Sequence, residues 1–410
     1  MDSESSMPPS IDAEKVQDKE QDEQFELTGA KLFLVVFGLV LAIFLMSLDA
    51  SILATAVPHI TAQFGSVQDI GWINLPIGAV TVIFTILFFH PPPRKSGSTT
   101  VLQRLRKLDG IGALLFIPSI VMILLPLQWG GTKYPWKSAT IIGLFIGGGL
   151  LGIVFICWQS YKQDDAMIPP RLFTQRTMCA ASLTNFFAMG AVMVSIYYLP
   201  EWFQVIKSAS PVNSGVMYLP LAISDILSSN LAGMLVARLN YANPFVLFGT
   251  TLMSIGTGLI TTFTTTTSHQ YWIPYQVLQG LGAGMTLSMP YMATQTVLKD
   301  DDIPVGTSIV QLFQFFGGSV FLGTAQAIFS NTLVSSLSKL EDIGIGSAEI
   351  ERILHGGSSS VRSLVTQAQL PGVIQSYNDG IVSTFYVATA AAAFSFVVSL
   401  GLEWRKIRSH

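Results

Sequence analysis

Charge is what this sequence has least of. Aspartate, glutamate, lysine and arginine make up 11% of its 410 residues, against roughly 25% in an ordinary soluble domain. So few charges cannot cover a water-facing surface, which excludes a soluble enzyme, a disordered scaffold and a collagen-like or coiled-coil rod. A net charge of −3 and a pI near 5.9 leave no basic footprint for nucleic acid. Two cysteines, Cys157 and Cys179, are too few for a disulfide framework. The five histidines (His59, His90, His269, His355, His410) are scattered, without the spacing of a metal site. There is no Gly-x-x-x-x-Gly-Lys-Ser/Thr loop, so ATP is not the direct driver of any activity, and no Gly-x-Ser-x-Gly elbow that would support an intramembrane enzyme. No cofactor is implied, and no Asn-x-Ser/Thr sequon invites N-glycosylation.

What is abundant is apolar sequence. Half of the residues are hydrophobic and the mean hydropathy is +0.53. A spanning helix takes about 20 mainly apolar residues, and in hydrocarbon only a helix satisfies its own backbone in such a run. Ten runs qualify: approximately Leu32–Val57, Trp72–Phe89, Ile111–Leu127, Ala139–Tyr161, Met178–Val205, Ser214–Ala237, Pro244–Thr262, Tyr271–Val297, Val305–Ser330 and Ile381–Leu402. The expected fold is an all-α polytopic membrane protein whose lipid-facing surface is most of its exterior.

The segments between spans set the orientation. Residues 1–30 are acidic, lack the apolar core of a cleavable signal peptide and read as a disordered cytosolic tail. With that tail inside, only Lys133, Lys137, Lys207, Lys339, Arg352 and Arg362 of the 22 lysines and arginines fall outside. The bias supports an even number of spans and two cytosolic termini. Residues 90–110 form a basic connector opened by Pro91-Pro92-Pro93, and residues 331–380 a long outer loop with room for a short interfacial helix.

A carboxylate in the bilayer core is expensive. Asp49, in Ser47-Leu48-Asp49-Ala50-Ser51, and Asp225, in Ile223-Ser224-Asp225-Ile226-Leu227, both lie well inside spans. Either one exchanges protons beside a cavity, which couples proton flow to a substrate, or serves as a hydrogen-bonded structural acid. Glu201 reads as interfacial. Gly280-x-Gly282-x-Gly284 has no preceding strand and is no nucleotide loop. Gly280 and Gly284 instead let a neighbouring helix approach closely, and Pro290 bends the helix that carries them. Gln276 and Gln279 are three apart, as are Gln311 and Gln314, so each pair shares a helix face; Asn230 and Gln326 stand alone. These amides either bond across helices or line a polar cavity with Tyr197, Tyr198, Phe203, Phe313, Phe315 and Phe316, suited to an apolar, oxygen-bearing ligand.

The run Leu48-Asp49-Ala50-Ser51-Ile52-Leu53-Ala54-Thr55-Ala56-Val57-Pro58 resembles the first-helix signature of the fourteen-helix drug:proton antiporters of the major facilitator superfamily, and its acid matches Asp49. Three further stretches are similar to blocks of the fungal toxin and multidrug efflux pumps. They are Tyr197-Tyr198-Leu199-Pro200 through Phe203-Gln204 to Leu219-Pro220, Ile73-Asn74-Leu75-Pro76-Ile77-Gly78, and Ser376-Tyr377-Asn378 to Glu403-Trp404. One departure is large: Gly71-Trp72 runs straight into Ile73-Asn74, so family helices two to five are absent. The resemblance implies that residues 31–89 are a two-helix remnant of the amino-terminal bundle, 111–161 an extra central pair, and 162–410 a complete six-helix carboxy-terminal bundle.

By the same resemblance, the chain exports hydrophobic small molecules such as a fungal toxin by proton antiport. Asp49 is then the proton-coupling candidate, and Tyr197, Gln204, Asp225, Gln279, Gln311 and Gln314 are substrate-cavity candidates. The partners are a small-molecule substrate, protons and the lipid bilayer, and the home is the plasma membrane or else a vacuolar or vesicular one. Transport in this superfamily needs two bundles rocking about a midplane site. A transport-inactive truncated product is therefore one alternative, and a siderophore or nutrient importer of the same fold is another.

Overall fold

The computed structural model describes residues 109–131, 133–355 and 361–406, all within a unit that includes Val101–His410. The first two expected spans, Asp49 and the connector up to residue 108 lie outside the described residues. Among the described residues are eight long helices and no β-sheet: α1 (Gly110–Trp129), α2 (Ala139–Lys162), α3 (Arg176–Ile206), α4 (Pro211–Leu239), α5 (Asn243–Ile260), α6 (His269–Val297), α7 (Ile303–Leu337) and α8 (Leu370–Ser399). All but α6 are long and apolar enough to cross a membrane. The exception carries Gln276, Gln279, Thr286 and Thr294, each fully buried. It is enclosed by α3, α4 and α5, where such groups meet protein partners instead of lipid.

Local chemistry sets the helix ends. Ser138 accepts the Ile141 N–H at 3.3 Å to start α2. Ser210, followed by Pro211, accepts the Asn213 N–H to start α4, and Asn240 ends that helix in the left-handed conformation (φ 58°), which asparagine tolerates. The carboxylate of Asp109 caps α1 through the Gly112 N–H at 2.8 Å. It also accepts the indole N–H of Trp158 at 2.9 Å, the Gln159 amide at 3.0 Å and the Met167 N–H at 3.2 Å. One carboxylate thus ties α1, α2 and the following linker together. Burial pushes the Asp109 carboxyl up, but these four bonds outweigh it and hold the group below its ordinary value.

Helices α1 and α2 pack mainly on each other. The Ser119 hydroxyl donates to the Gly148 carbonyl at 2.8 Å, and the pair meets the rest of the unit chiefly where α1 lies along α7, with Leu127 on Gly323. The other six helices form a bundle through the pairs α5–α6, α3–α7, α4–α6 and α3–α8. Small residues bring them close: Gly317 sits on the Phe186 backbone, and Gly282 on Gly249 and Met253.

Two helices run further than hydropathy suggests. α7 continues to Leu337 and α8 begins at Leu370, so the loop expected over 331–380 is confined to 338–369. Its short helix Ser347–His355 puts Ile353 in the bundle's apolar core, with Ile345 before it and Val361 after it. Tyr377 donates to the Ile353 carbonyl at 3.3 Å. Arg362 donates to the Val205 carbonyl at 3.1 Å and the Ile206 carbonyl at 3.4 Å, satisfying acceptors that the last turn of α3 leaves open.

Candidate functional site

Where α1 meets α3 and α7, packing leaves a cavity of about 480 Å³. It is lined by Leu124 and Gln128 of α1, Tyr197 of α3, and Ser319, Leu322, Gly323 and Gln326 of α7. That volume lies within the range of small-molecule sites; the site is half-open, with Gln128, Tyr197 and Ser319 exposed, and four of its seven lining residues carry polar side chains. The Tyr198 hydroxyl donates to the Gln326 carbonyl oxygen at 2.9 Å, and the Tyr198 ring is fully buried against Phe329, so the Gln326 amide is held in one orientation. The Ser319 hydroxyl donates to the Phe315 carbonyl at 3.0 Å.

Of the residues that the sequence marks for a cavity, Tyr197 and Gln326 line this one; the others lie elsewhere. Gln204 is buried and donates to the Ser214 hydroxyl at 3.1 Å. Gln279 is fully buried and donates to the Ser195 hydroxyl. Their carbonyl oxygens have no hydrogen-bond partner among the described residues. Gln276, one turn from Gln279, donates instead to the Met217 carbonyl at 3.2 Å, so the two amides serve different neighbours. Gln311 is exposed, whereas Gln314 accepts from the Tyr291 hydroxyl and from the Asn185 amide at 3.3 Å. Asn185 and Tyr291 complete a polar contact joining α3, α6 and α7 that single amides in apolar runs do not announce. Asn230 bonds its own helix at the Ile226 carbonyl. Phe203 packs on Trp202 and Trp272, Phe313 on Phe173, and Phe316 on Phe186, while Phe315 is exposed.

Asp225, Gly280 and Gly284 meet at one crossing. A Cβ on Gly280 would strike Ser224 and the Leu221 carbonyl, and one on Gly284 would strike the Asp225 carbonyl and Ser228. The Asp225 carboxylate oxygen would lie 2.9 Å from that second Cβ. Pro290 is buried within α6, which runs through it without a break. Among the described residues no cluster of His, Cys, Asp and Glu could hold a metal ion.

Residues 34–405 match the model of the fungal trichothecene efflux pump family, TRI12. The chain belongs to the fungal trichothecene efflux pump family. Efflux pump roqT of Penicillium rubens is 40% identical over 337 residues, covering 82% of this chain and 62% of that protein. MFS-type transporter poxA of Penicillium oxalicum is 40% identical over 348 residues, covering 82% and 61%. The MFS acetylaranotin efflux transporter ataA of Aspergillus terreus is 39% identical over 364 residues, covering 87% and 80%. The chain therefore spans about 62% of the length of the first of these relatives. A bacterial homologue of the human lysosomal transporter Spinster, in an inward-facing and occupied conformation, overlaps at a TM-score of 0.49 and 16% identity, covering 92% of this chain and 90% of that one. Membership of a TRI12 efflux family and seven apolar helices of membrane length among the described residues make this an integral membrane protein.

Proposed function

We propose that the chain exports small apolar molecules across a fungal membrane, drawing on the proton gradient. The observation that carries this reading is the TRI12 match over residues 34–405, supported by relatives named efflux pumps and transporters of fungal products. The cavity walled by Tyr197, Gln128, Ser319 and Gln326 offers a place for the cargo. In this reading Asp49 exchanges the proton, Tyr197 meets the cargo, and the α4–α6 crossing at Asp225, Gly280 and Gly284 moves during the cycle. Gln204, Gln279, Gln311 and Gln314 are secondary candidates for cargo contact. Residues 31–89, 111–161 and 162–410 act as remnant, central pair and six-helix bundle, with both termini cytosolic in the plasma membrane.

The junction at Gly71-Trp72-Ile73-Asn74, where family helices two to five are missing, favours a second reading, a truncated, transport-inactive product. One experiment separates the two. The chain and its Asp49→Asn variant are expressed in a pump-deficient yeast, and retention of a fluorescent apolar toxin is measured. Lower retention with the chain, restored by Asp49→Asn, is the expected result. Equal retention in both and in empty cells rejects export and leaves the second reading.

A further inference from the structure

The cavity lies at the seam between the central pair and the six-helix bundle. Leu124 and Gln128, one turn apart on α1, form one wall, and Ser319, Leu322, Gly323 and Gln326 of α7 form another. Among the described residues the lining holds no carboxylate, ammonium, guanidinium or imidazole. Glu201 sits one turn beyond Tyr197 on α3 and is outside the lining. A charged ligand would thus find no counter-charge on these walls. The polar groups present have a definite sense. The Gln326 carbonyl is taken by the Tyr198 hydroxyl, which leaves the amide N–H groups to give. The Ser319 hydrogen is committed to the Phe315 carbonyl. The Ser319 oxygen can still accept, but the unspent donors at α7 are the Gln326 amide N–H groups, and they ask for an acceptor.

We propose that this seam cavity binds a neutral, largely apolar molecule through an accepting carbonyl or ether oxygen, and that the central pair, through Leu124 and Gln128, supplies one wall of the site. The central pair is then part of the recognition surface and no mere spacer. The proposal deepens the export reading and rests on it for the ligand's biological role, but binding is scored without transport.

The test uses the purified full chain and three photophores of one shape: benzophenone, its trimethylammonium-bearing derivative and 4-benzoylbenzoate. Adducts formed on irradiation are mapped by peptide mass spectrometry. Benzophenone, a neutral ketone, labels the peptides holding Leu124 and Leu322 saturably, and the two charged probes do not. Ser319→Trp fills the cavity and removes this labelling. Gln326→Leu raises the half-saturating concentration about fivefold, the loss of one hydrogen bond. Leu114→Trp, at a position of α1 that is 73% exposed and away from the cavity, changes nothing. If Ser319→Trp fails to elute as the parent does, Gln326→Leu carries the comparison. The proposal is overturned if adducts do not concentrate on those peptides, if a folded Ser319→Trp or Gln326→Leu labels like the parent, or if a charged probe labels equally well. Labelling as expected in a chain that exports nothing would sink the export reading and leave this one standing.

Discussion

Replacing Gly284 with alanine should loosen the crossing of α4 and α6, whereas the same change at Gly233 should not. Both residues lie inside helices, so each variant gains the same preference of a helix for alanine over glycine, about 1 kcal/mol. At Gly233 a new Cβ meets nothing within 4 Å, and the gain stands alone. At Gly284 it lands on the Asp225 carbonyl and the Ser228 hydroxyl. The serine can turn away, but the carbonyl is backbone of α4 and no rotamer clears it. Overpacking of this kind costs about 1–3 kcal/mol. Because helix preference is common to both variants, the difference between them isolates that cost. At a few degrees per kcal/mol for a unit of this size, Gly284→Ala should melt roughly 2–10 °C below Gly233→Ala. Fluorescence-detected size exclusion after graded heating in detergent reads the difference. Melting points within about 1 °C of each other would refute the reasoning, since they would mean that α4 and α6 do not approach closely enough for one methyl group to matter.

Other outcomes follow from contacts described above. The Asp109 carboxyl is held below its ordinary value in the folded chain, so its contribution is complete above the unfolded value near 4 and is lost as pH falls through the folded one. Protection of the Gly112 and Met167 amides from hydrogen exchange should be level above about pH 5 and fall in stronger acid, and in Asp109→Asn it should be reduced above about pH 5 and lose that acid dependence. Trp202 donates to Asn378 at 2.9 Å in a buried setting. Trp202→Phe strands that acceptor at a cost of about 1–3 kcal/mol and should lower the apparent melting point by several degrees; an unchanged value would show the bond to be dispensable. Arg362→Ala frees the carbonyls at the end of α3 and should speed tryptic cleavage at Lys339 and Arg352, read by gel against the parent.

Hydropathy made the existence of the helices legible, because no other backbone survives in lipid over such lengths. It failed at their ends. Ser376, Tyr377, Asn378 and Asp379 look like loop, yet α8 begins at Leu370 because Asn378 is held by Trp202 and Phe263 and Tyr377 by Ile353. Partners distant in sequence satisfy those polar groups, and no local pattern reports them. The amides show the same limit. A spacing of three puts Gln311 and Gln314 on one helix face, but one faces outward and the other bonds Asn185 and Tyr291, because the boundary of a packed surface falls between them. Tyr197 and Gln326 were legible as candidates for a lining. Gln128 was not, since it ends an apolar run and becomes part of a wall only when α1 docks on α7.

The central hairpin adheres to the bundle along one edge, and its outward residues, such as Leu114, Ile117, Ile146 and Ile153, are exposed. Lipid asks nothing of them but oiliness, so leucine, isoleucine, valine and phenylalanine are interchangeable there. Ser119, Gly148 and Leu127 are held to shape. Over generations the hairpin should wander freely in spelling on one side while its inner edge stays fixed. Substitution rates counted position by position would then trace the docking line without any structure at all.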